Sequence, residues 1–267
     1  MVAFAINAAT PRMRTKSETS PRRLRPPSLA LTLIEGRGVA ELAATYMLKG
    51  VLDRAPRGDG HPVIVLPGFL ASDRSTMPLR KYLTDLGYDA RGWGQGQNLG
   101  RFYKMRTILE AQVERVYEET GQKISLVGWS LGGVFARYLS LVMPDKVRSV
   151  ITLGSPFAAD INATSAKKLY ELLSQEGPAK EGDLERIAGD LPVPNSSIYT
   201  KLDGIVNWKT CISKPAANSE VIEIRLASHV GIGVNPAAFW AVADRLAQKD
   251  GQFVPFTKKG PFTLAYG

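Results

Sequence analysis

The run Ile124-Ser125-Leu126-Val127-Gly128-Trp129-Ser130-Leu131-Gly132-Gly133 constrains the fold of this chain more than any other stretch. Ile124 to Val127 is a short apolar run of the buried-strand type. Leu131, Val134, Phe135, Tyr138, Leu139 and Val142 then repeat at helical spacing up to Pro144. A strand that turns directly into a helix brings two backbones so close at the corner that a Cβ would clash. Gly128 and Gly132, two positions before and two after Ser130, leave the room required. The spacing therefore predicts a strained strand-to-helix corner with the Ser130 hydroxyl exposed at its apex.

The same alternation extends along the chain. Strands are expected at Val63 to Leu66, Tyr88 to Trp93, Val147 to Leu153, Ser197 to Lys201 and Val221 to Leu226. Helices are expected at Pro78 to Leu86, Phe102 to Glu119 and Pro236 to Ala247, the last with proline in its first turn. Before them, Val39, Leu42, Ala43, Tyr46, Met47 and Val51 share one helical face, predicting an amphipathic helix over Val39 to Leu52 that docks that face on the core. Strands separated by helices imply an α/β fold: a mostly parallel sheet, helices on both faces, and functional loops at the carboxyl ends of the strands. The predicted organisation is a flexible basic tail over residues 1–30 and one domain over 31–267, interrupted by an irregular insertion from about Ala158 to Asn195. Within the insertion, Lys167 to Leu173 is amphipathic, and the insertion stands where a mobile lid, a fixed cap or a surface decoration is expected.

Composition narrows the function classes. With 44% hydrophobic and 22% charged residues, the 267-residue chain reads as globular. No apolar run reaches the roughly 18 to 20 residues of a membrane-spanning helix. Cys211 is the single cysteine, so no internal disulfide forms. That suits a reducing compartment, and with no secretory pattern at the start it points to the cytoplasm. The net charge of +9 is concentrated in Arg12, Arg14, Lys16, Arg22, Arg23 and Arg25, faced by Glu18 alone and interspersed with prolines. This is a solubilising arm or a peripheral membrane contact. Without interleaved aromatics it does not read as a nucleic-acid binder. Gly92-Trp93-Gly94-Gln95-Gly96 has the spacing of neither nucleotide-binding loop and reads as a loop near a site mouth. Two distant histidines and one cysteine supply no metal site, and no cofactor is expected.

A serine hydroxyl needs a base within hydrogen-bond reach and a third group to orient that base. Of the two histidines, His61 stands at the amino end of its strand, about 16 Å from the corner, and reads as a surface or strand-edge residue. His229 follows the last predicted strand and is the expected base. The orienting acid belongs between nucleophile and base, at a strand's carboxyl end. Asp203, followed by Gly204, meets both conditions better than Asp160, Asp183, Asp190 or Glu223. An oxyanion needs backbone N–H donors already in place. The expected pair is Leu131, at the start of its helix, and Phe69 in the loop Pro67-Gly68-Phe69-Leu70-Ala71, with Leu70 the alternative to Phe69.

The succession Pro67-Gly68-Phe69, Gly128-Trp129-Ser130-Leu131-Gly132-Gly133, Asp203, His229 resembles the α/β-hydrolase superfamily. Thr200 to Val206 and Ser228 to Gly231 resemble its bacterial lipase- and esterase-type serine hydrolases. The resemblance spans Pro62 to Gln248. It implies hydrolysis of carboxylic esters through an acyl-enzyme, without a cofactor. The chain departs from the family pattern in having no β-hairpin before the Val63 strand, which implies a reduced sheet, and no run of glycines in the oxyanion loop. Apolar residues near the expected site, Phe69, Leu70, Trp129, Leu131, Phe157 and Val230, favour a small-molecule or lipid ester with an acyl chain. Among them Leu70, Trp129, Phe157 and Val230 are the expected substrate contacts. An acyltransferase with the same triad and a noncatalytic binding protein on the same fold are the alternatives.

Overall fold

A computed structural model describes residues 25–158 and 181–267. Its strands are β1 (Pro62–Leu66), β2 (Asp89–Gly92), β3 (Ile124–Trp129), β4 (Val147–Leu153), β5 (Asn195–Tyr199) and β6 (Ser219–Glu223). They form one six-stranded sheet in the order β2-β1-β3-β4-β5-β6, parallel throughout. No strand precedes β1 among the described residues.

The unbroken apolar runs of β1 and β3 follow from their place between two layers of helix. Side chains alternate across a strand. Val63 and Val65 therefore face a layer holding Leu79 and Leu83 of α4 (Asp73–Asp85) and Phe239 and Val242 of the helix Pro236–Leu246. Ile64 and Leu66 face Leu109 and Val113 of α5 (Phe102–Thr120) and Phe135 and Leu139 of α6 (Leu131–Val142). A further helix, α7 (Glu181–Ala188), packs its Ile187 into the second layer, and Pro236–Leu246 is α8. Edge strands β2 and β6 carry charge and are only partly buried, which protects the sheet from further pairing.

Several boundaries differ from the sequence reading. α4 starts at Asp73 and runs through Pro78, because the Asp73 carboxylate accepts the N–H groups of Trp93 and Gly94, each at 3.0 Å, and anchors the helix to the loop after β2. β5 starts at Asn195, where hydrophobic periodicity gives no signal. Its buried Ser196 hydroxyl donates to Glu220 at 2.7 Å, and Ser197 pairs with Ser213 at 3.2 Å.

The amino-terminal segment is the largest departure. It forms α1 (Leu29–Leu33), a 3-10 turn (Ile34–Arg37), α2 (Gly38–Met47) and α3 (Lys49–Leu52). The face expected to dock points outward: Val39, Tyr46 and Met47 are 76%, 60% and 85% exposed. Gly38, Glu41 and Thr45 face inward instead. Buried hydrogen bonds decide the orientation, since the Thr45 hydroxyl donates to the Val234 carbonyl and Glu41 accepts from Ser228 and Asn235.

Of the predicted tail, residues 1–24 lie outside the described residues. From Arg25 onward the chain is tied to the domain, against the expectation for 25–30. The Asn207 side-chain amide donates to the Arg25 carbonyl at 2.8 Å, Ser28 caps α1, and Thr32 donates to the Gly204 carbonyl at 2.7 Å. In the insertion, residues 159–180, with Lys167 to Leu173 and Asp160, lie outside the described residues, while α7 gives its later part regular structure.

Candidate active site

The corner after β3 is built as the glycines require. A Cβ on Gly128 would stand 2.3 Å from the Gly133 Cα, and one on Gly132 would stand 2.2 Å from the Leu66 carbonyl oxygen. Ser130 at the apex has φ 51° and ψ −121°, a conformation costly for a residue with a side chain. Its N–H donates to the Leu153 carbonyl at 2.8 Å, which fixes the apex to β4.

Three side chains meet at this edge. The Ser130 hydroxyl lies 3.0 Å from His229 Nε2, and His229 Nδ1 lies 2.7 Å from Asp203 Oδ2. The other Asp203 oxygen accepts the N–H groups of Ile205 and Val206 at 2.9 and 2.7 Å. Both Asp203 and His229 are buried. Burial alone would push the His229 pKa down, but the charge and hydrogen bond of Asp203, with the charge of Glu35, outweigh it, so the imidazole is raised above its ordinary 6.5. An imidazole raised in this way holds a proton more readily, as an acid–base group of this geometry requires.

The loop after β1 passes directly beneath the serine: a Cβ on Gly68 would stand 3.1 Å from the Ser130 Cβ. Leu131 begins α6, so its N–H is among the first-turn amides that have no acceptor within the helix. The Leu70 N–H donates to the Asn98 carbonyl at 2.7 Å. Leu70 itself sits at φ 61°, so the loop, like the serine, is held in a costly conformation.

Other sequence-selected residues are placed elsewhere. His61 is not on the surface: it is fully buried, with Nδ1 paired to Asp59 and Nε2 2.9 Å from the Ser125 hydroxyl, because that hydroxyl offers a polar partner at the foot of the sheet. Phe157, expected at the substrate, is buried beneath the Arg137 guanidinium, 3.9 Å from its ring centre. Trp129, also expected there, donates from its indole N–H to the His229 carbonyl at 3.0 Å and packs against Gly233, buttressing the His229 loop. Leu70 and Val230 are partly or well exposed beside the triad. Asp183 accepts from the Tyr103 hydroxyl, and Glu223 accepts from Lys201. Cys211 is buried in a small apolar cluster, and burial beside the Asp203 charge pushes its thiol pKa well up.

Three positions escaped sequence reasoning. Asn98 is fully buried and clamps the loop after β1, donating from its side chain to the Pro67 carbonyl and from its N–H to the Ala71 carbonyl, both at 2.8 Å. Glu35 and Glu41 reach the base loop from the opposite side. The signal for Glu41 was present as a second helical stripe, Gly38, Glu41 and Thr45, small and polar where a core face is normally apolar. Among the described residues, no group of three or more His, Cys, Asp or Glu is placed to hold a metal ion, and no helix is long and apolar enough to cross a membrane.

Residues 61–202 match the alpha/beta hydrolase fold family. Two similar curated proteins are both named pimeloyl-[acyl-carrier protein] methyl ester esterase. One, from Klebsiella pneumoniae subsp. pneumoniae, is 30% identical, and one, from Klebsiella pneumoniae strain 342, is 25% identical, each match covering 62% of this chain and 84% of the relative. Among solved structures, lipase B of Aspergillus fumigatus superposes with a TM-score of 0.56 at 16% identity, covering 72% of this chain. This chain spans 53% of that lipase's length. Est1E from Butyrivibrio proteoclasticus superposes with a TM-score of 0.52 at 15% identity, covering 72% of this chain and 87% of that one. At these identities the solved structures speak for the fold, the family match places the chain in its family, and the curated relatives carry esterase names. By the family match the chain belongs to the alpha/beta hydrolase family, and together with relatives named as esterases this makes it a serine ester hydrolase.

Proposed function

We propose that Ser130 attacks the carbonyl carbon of a carboxylic ester while His229 Nε2 takes its proton. Asp203 holds the imidazole with its proton on Nδ1 and stabilises the positive charge that forms. The oxyanion is bound by the N–H groups of Leu131 and Phe69. Collapse of the tetrahedral intermediate breaks the ester C–O bond, and His229 gives its proton to the departing alcohol. Water, activated by the same imidazole, then releases the acid and restores the serine. The observation carrying this reading is the line Asp203–His229–Ser130, with contacts of 2.7 and 3.0 Å, on an apex serine with positive φ.

For the substrate we propose a small-molecule ester with an apolar acyl chain, lying along Leu70 and Val230. The curated relatives support the ester and the acyl chain, since the substrate named for them is the methyl ester of a pimeloyl group on an acyl-carrier protein. A cytoplasmic setting accords with the single, buried Cys211. The test is labelling with a fluorophosphonate, followed by p-nitrophenyl esters of increasing chain length. Ser130 is expected to be labelled, Ser130→Ala to resist, and turnover to rise from acetyl toward medium chains. Equal labelling of wild type and Ser130→Ala would sink the mechanism. A product ester formed with an added alcohol, in place of the free acid, would assign acyl transfer.

A further inference from the structure

The N–H groups of Ser228, His229, Val230 and Gly231 all end on side-chain oxygens, and two of the acceptors come from the amino-terminal segment. Glu41 Oε1 accepts the Ser228 N–H at 2.9 Å and the Ser228 hydroxyl at 2.7 Å, while Ser228 Oγ accepts the Gly231 N–H at 2.8 Å. The N–H groups of His229 and Val230 go to Glu35, at 3.0 Å to Oε1 and 2.8 Å to Oε2. Glu35 Oε1 also takes the N–H of Gly204, the residue after Asp203, at 2.7 Å.

Glu35 is buried on the 3-10 turn between α1 and α2. A carboxylate there bears a desolvation cost that an apolar side chain of like volume would not, so filling space does not explain it. Its three N–H donors instead bridge two loops that carry different members of the triad. We propose that Glu35 is a positioning residue for ester hydrolysis: it ties the Asp203 turn to the His229 loop and sets a second negative charge behind the imidazole that turns positive during reaction. This rests on the assignment of Ser130, His229 and Asp203 given above.

Among the described residues, few charged and titratable groups lie around that imidazole. Asp203 faces it from the turn after β5, and Glu35 sits behind its backbone. Beyond them lies Glu41, 3.9 Å from Arg37 Nε, and the Arg37 guanidinium donates to the Ala227 and Leu202 carbonyls. The Cys211 thiol lies near Asp203, raised and so uncharged. Burial pulls the imidazole down, Asp203 and Glu35 pull it up, and the net is upward.

Glu35→Gln tests the idea, since it keeps the volume, removes the charge and turns an NH₂ group toward a backbone N–H. The expected result is a kcat reduced roughly 10- to 100-fold with KM within about twofold, and an acid limb of kcat/KM moved to lower pH. A role confined to holding the fold would lower the melting temperature and leave the limb in place. Glu35→Asp keeps the charge but shortens the reach, so it is expected to return the limb without returning kcat. It also serves if the glutamine variant does not fold. Nuclear magnetic resonance titration of the His229 ring, one of two histidines, reads the same shift without any turnover. A folded Glu35→Gln whose His229 titrates at the wild-type pH overturns the proposal whatever the esterase result. A wild type that resists the fluorophosphonate overturns the hydrolase assignment instead.

Discussion

Replacing Asp203 with asparagine separates the geometry of the site from its chemistry. Asp203 Oδ1 receives two N–H groups, from Ile205 and Val206, so in the variant the carbonyl oxygen must stay there, because an NH₂ in its place would confront two donors. The side-chain NH₂ is then directed at His229 Nδ1, where Oδ2 stood at 2.7 Å. As a donor it forces the imidazole to carry its own proton on Nε2, and an N–H there is presented to Ser130 Oγ at 3.0 Å. An imidazole in that tautomer cannot accept the serine proton. The same exchange in a serine protease lowers kcat by about 10⁴-fold, equivalent to ~5.4 kcal/mol at 1.36 kcal/mol per factor of ten. Both backbone hydrogen bonds survive, so the fold should persist, with a melting temperature within a few degrees of wild type. The assay is kcat/KM on a p-nitrophenyl ester alongside the fluorophosphonate labelling rate. A folded Asp203→Asn that loses less than about tenfold in both would refute the assigned role.

Other perturbations follow from the same coordinates. In Gly132→Ala the new Cβ would meet the Leu66 carbonyl oxygen at 2.2 Å and the Pro67 carbonyl oxygen at 2.9 Å, backbone atoms that cannot yield separately. The start of α6 must then part from the loop after β1, spreading the proposed oxyanion donors, and kcat is expected to fall about 100-fold or more with a lower melting temperature; activity within a few-fold of wild type counts against that proposal. Arg137, buried and held by the Ile187 and Gly189 carbonyls at 2.6 Å each, has its pKa pushed down to about 10 by burial. Arg137→Met should cost about 2 to 4 kcal/mol in urea unfolding and speed amide exchange in α7. Burial pushes the His61 pKa below 6.5, and although burial pushes Asp59 up, hydrogen bonds from His61 and Arg148 hold it at about 2 against an ordinary 3.8. The unfolded chain thus takes protons first at His61, and stability from a neutral His61 is lost as pH falls below 6.5. The Asp59 contribution is complete above 3.8 and lost between there and 2. The stability gap between wild type and His61→Asn should narrow from pH 7 toward 5; this difference isolates His61 from His229, whose raised pKa acts with the opposite sign.

The parts of the site legible in the sequence are those whose constraint is local. Ser130 announces itself because the two glycines that make room for it lie within five residues of chain. His229 follows from having one competitor, and Asp203 from its turn after β5. The fold class was legible for the same reason, since β1 and β3 are buried on both faces and show as continuous apolar runs. Glu35, Glu41 and Asn98 were not, because each acts on backbone groups remote in sequence and leaves no pattern of its own. α2 shows the limit of hydrophobic periodicity most clearly. Its apolar stripe is regular, yet the stripe opposite it makes the buried hydrogen bonds, and unsatisfied donors on the base loop would cost more than the exposed Val39, Tyr46 and Met47. Phe157 and Trp129 lie near the site in sequence, whereas Arg137 stacks on the first and the His229 carbonyl takes the indole N–H of the second.

The Glu35 bonds also order events in time. The serine corner closes within a dozen residues, but Glu35 meets Gly204 across 169 positions and His229 across 194. Contacts spanning most of a chain carry the largest loop-closure entropy and form late. The sheet can therefore be complete while the His229 loop still lacks its support, and competence is expected to come as the last act of folding. On refolding from urea, far-ultraviolet circular dichroism should return ahead of esterase activity, with a lag that lengthens in Glu35→Gln. Simultaneous recovery of both signals would mean that the two ends of the chain meet before the sheet between them is formed.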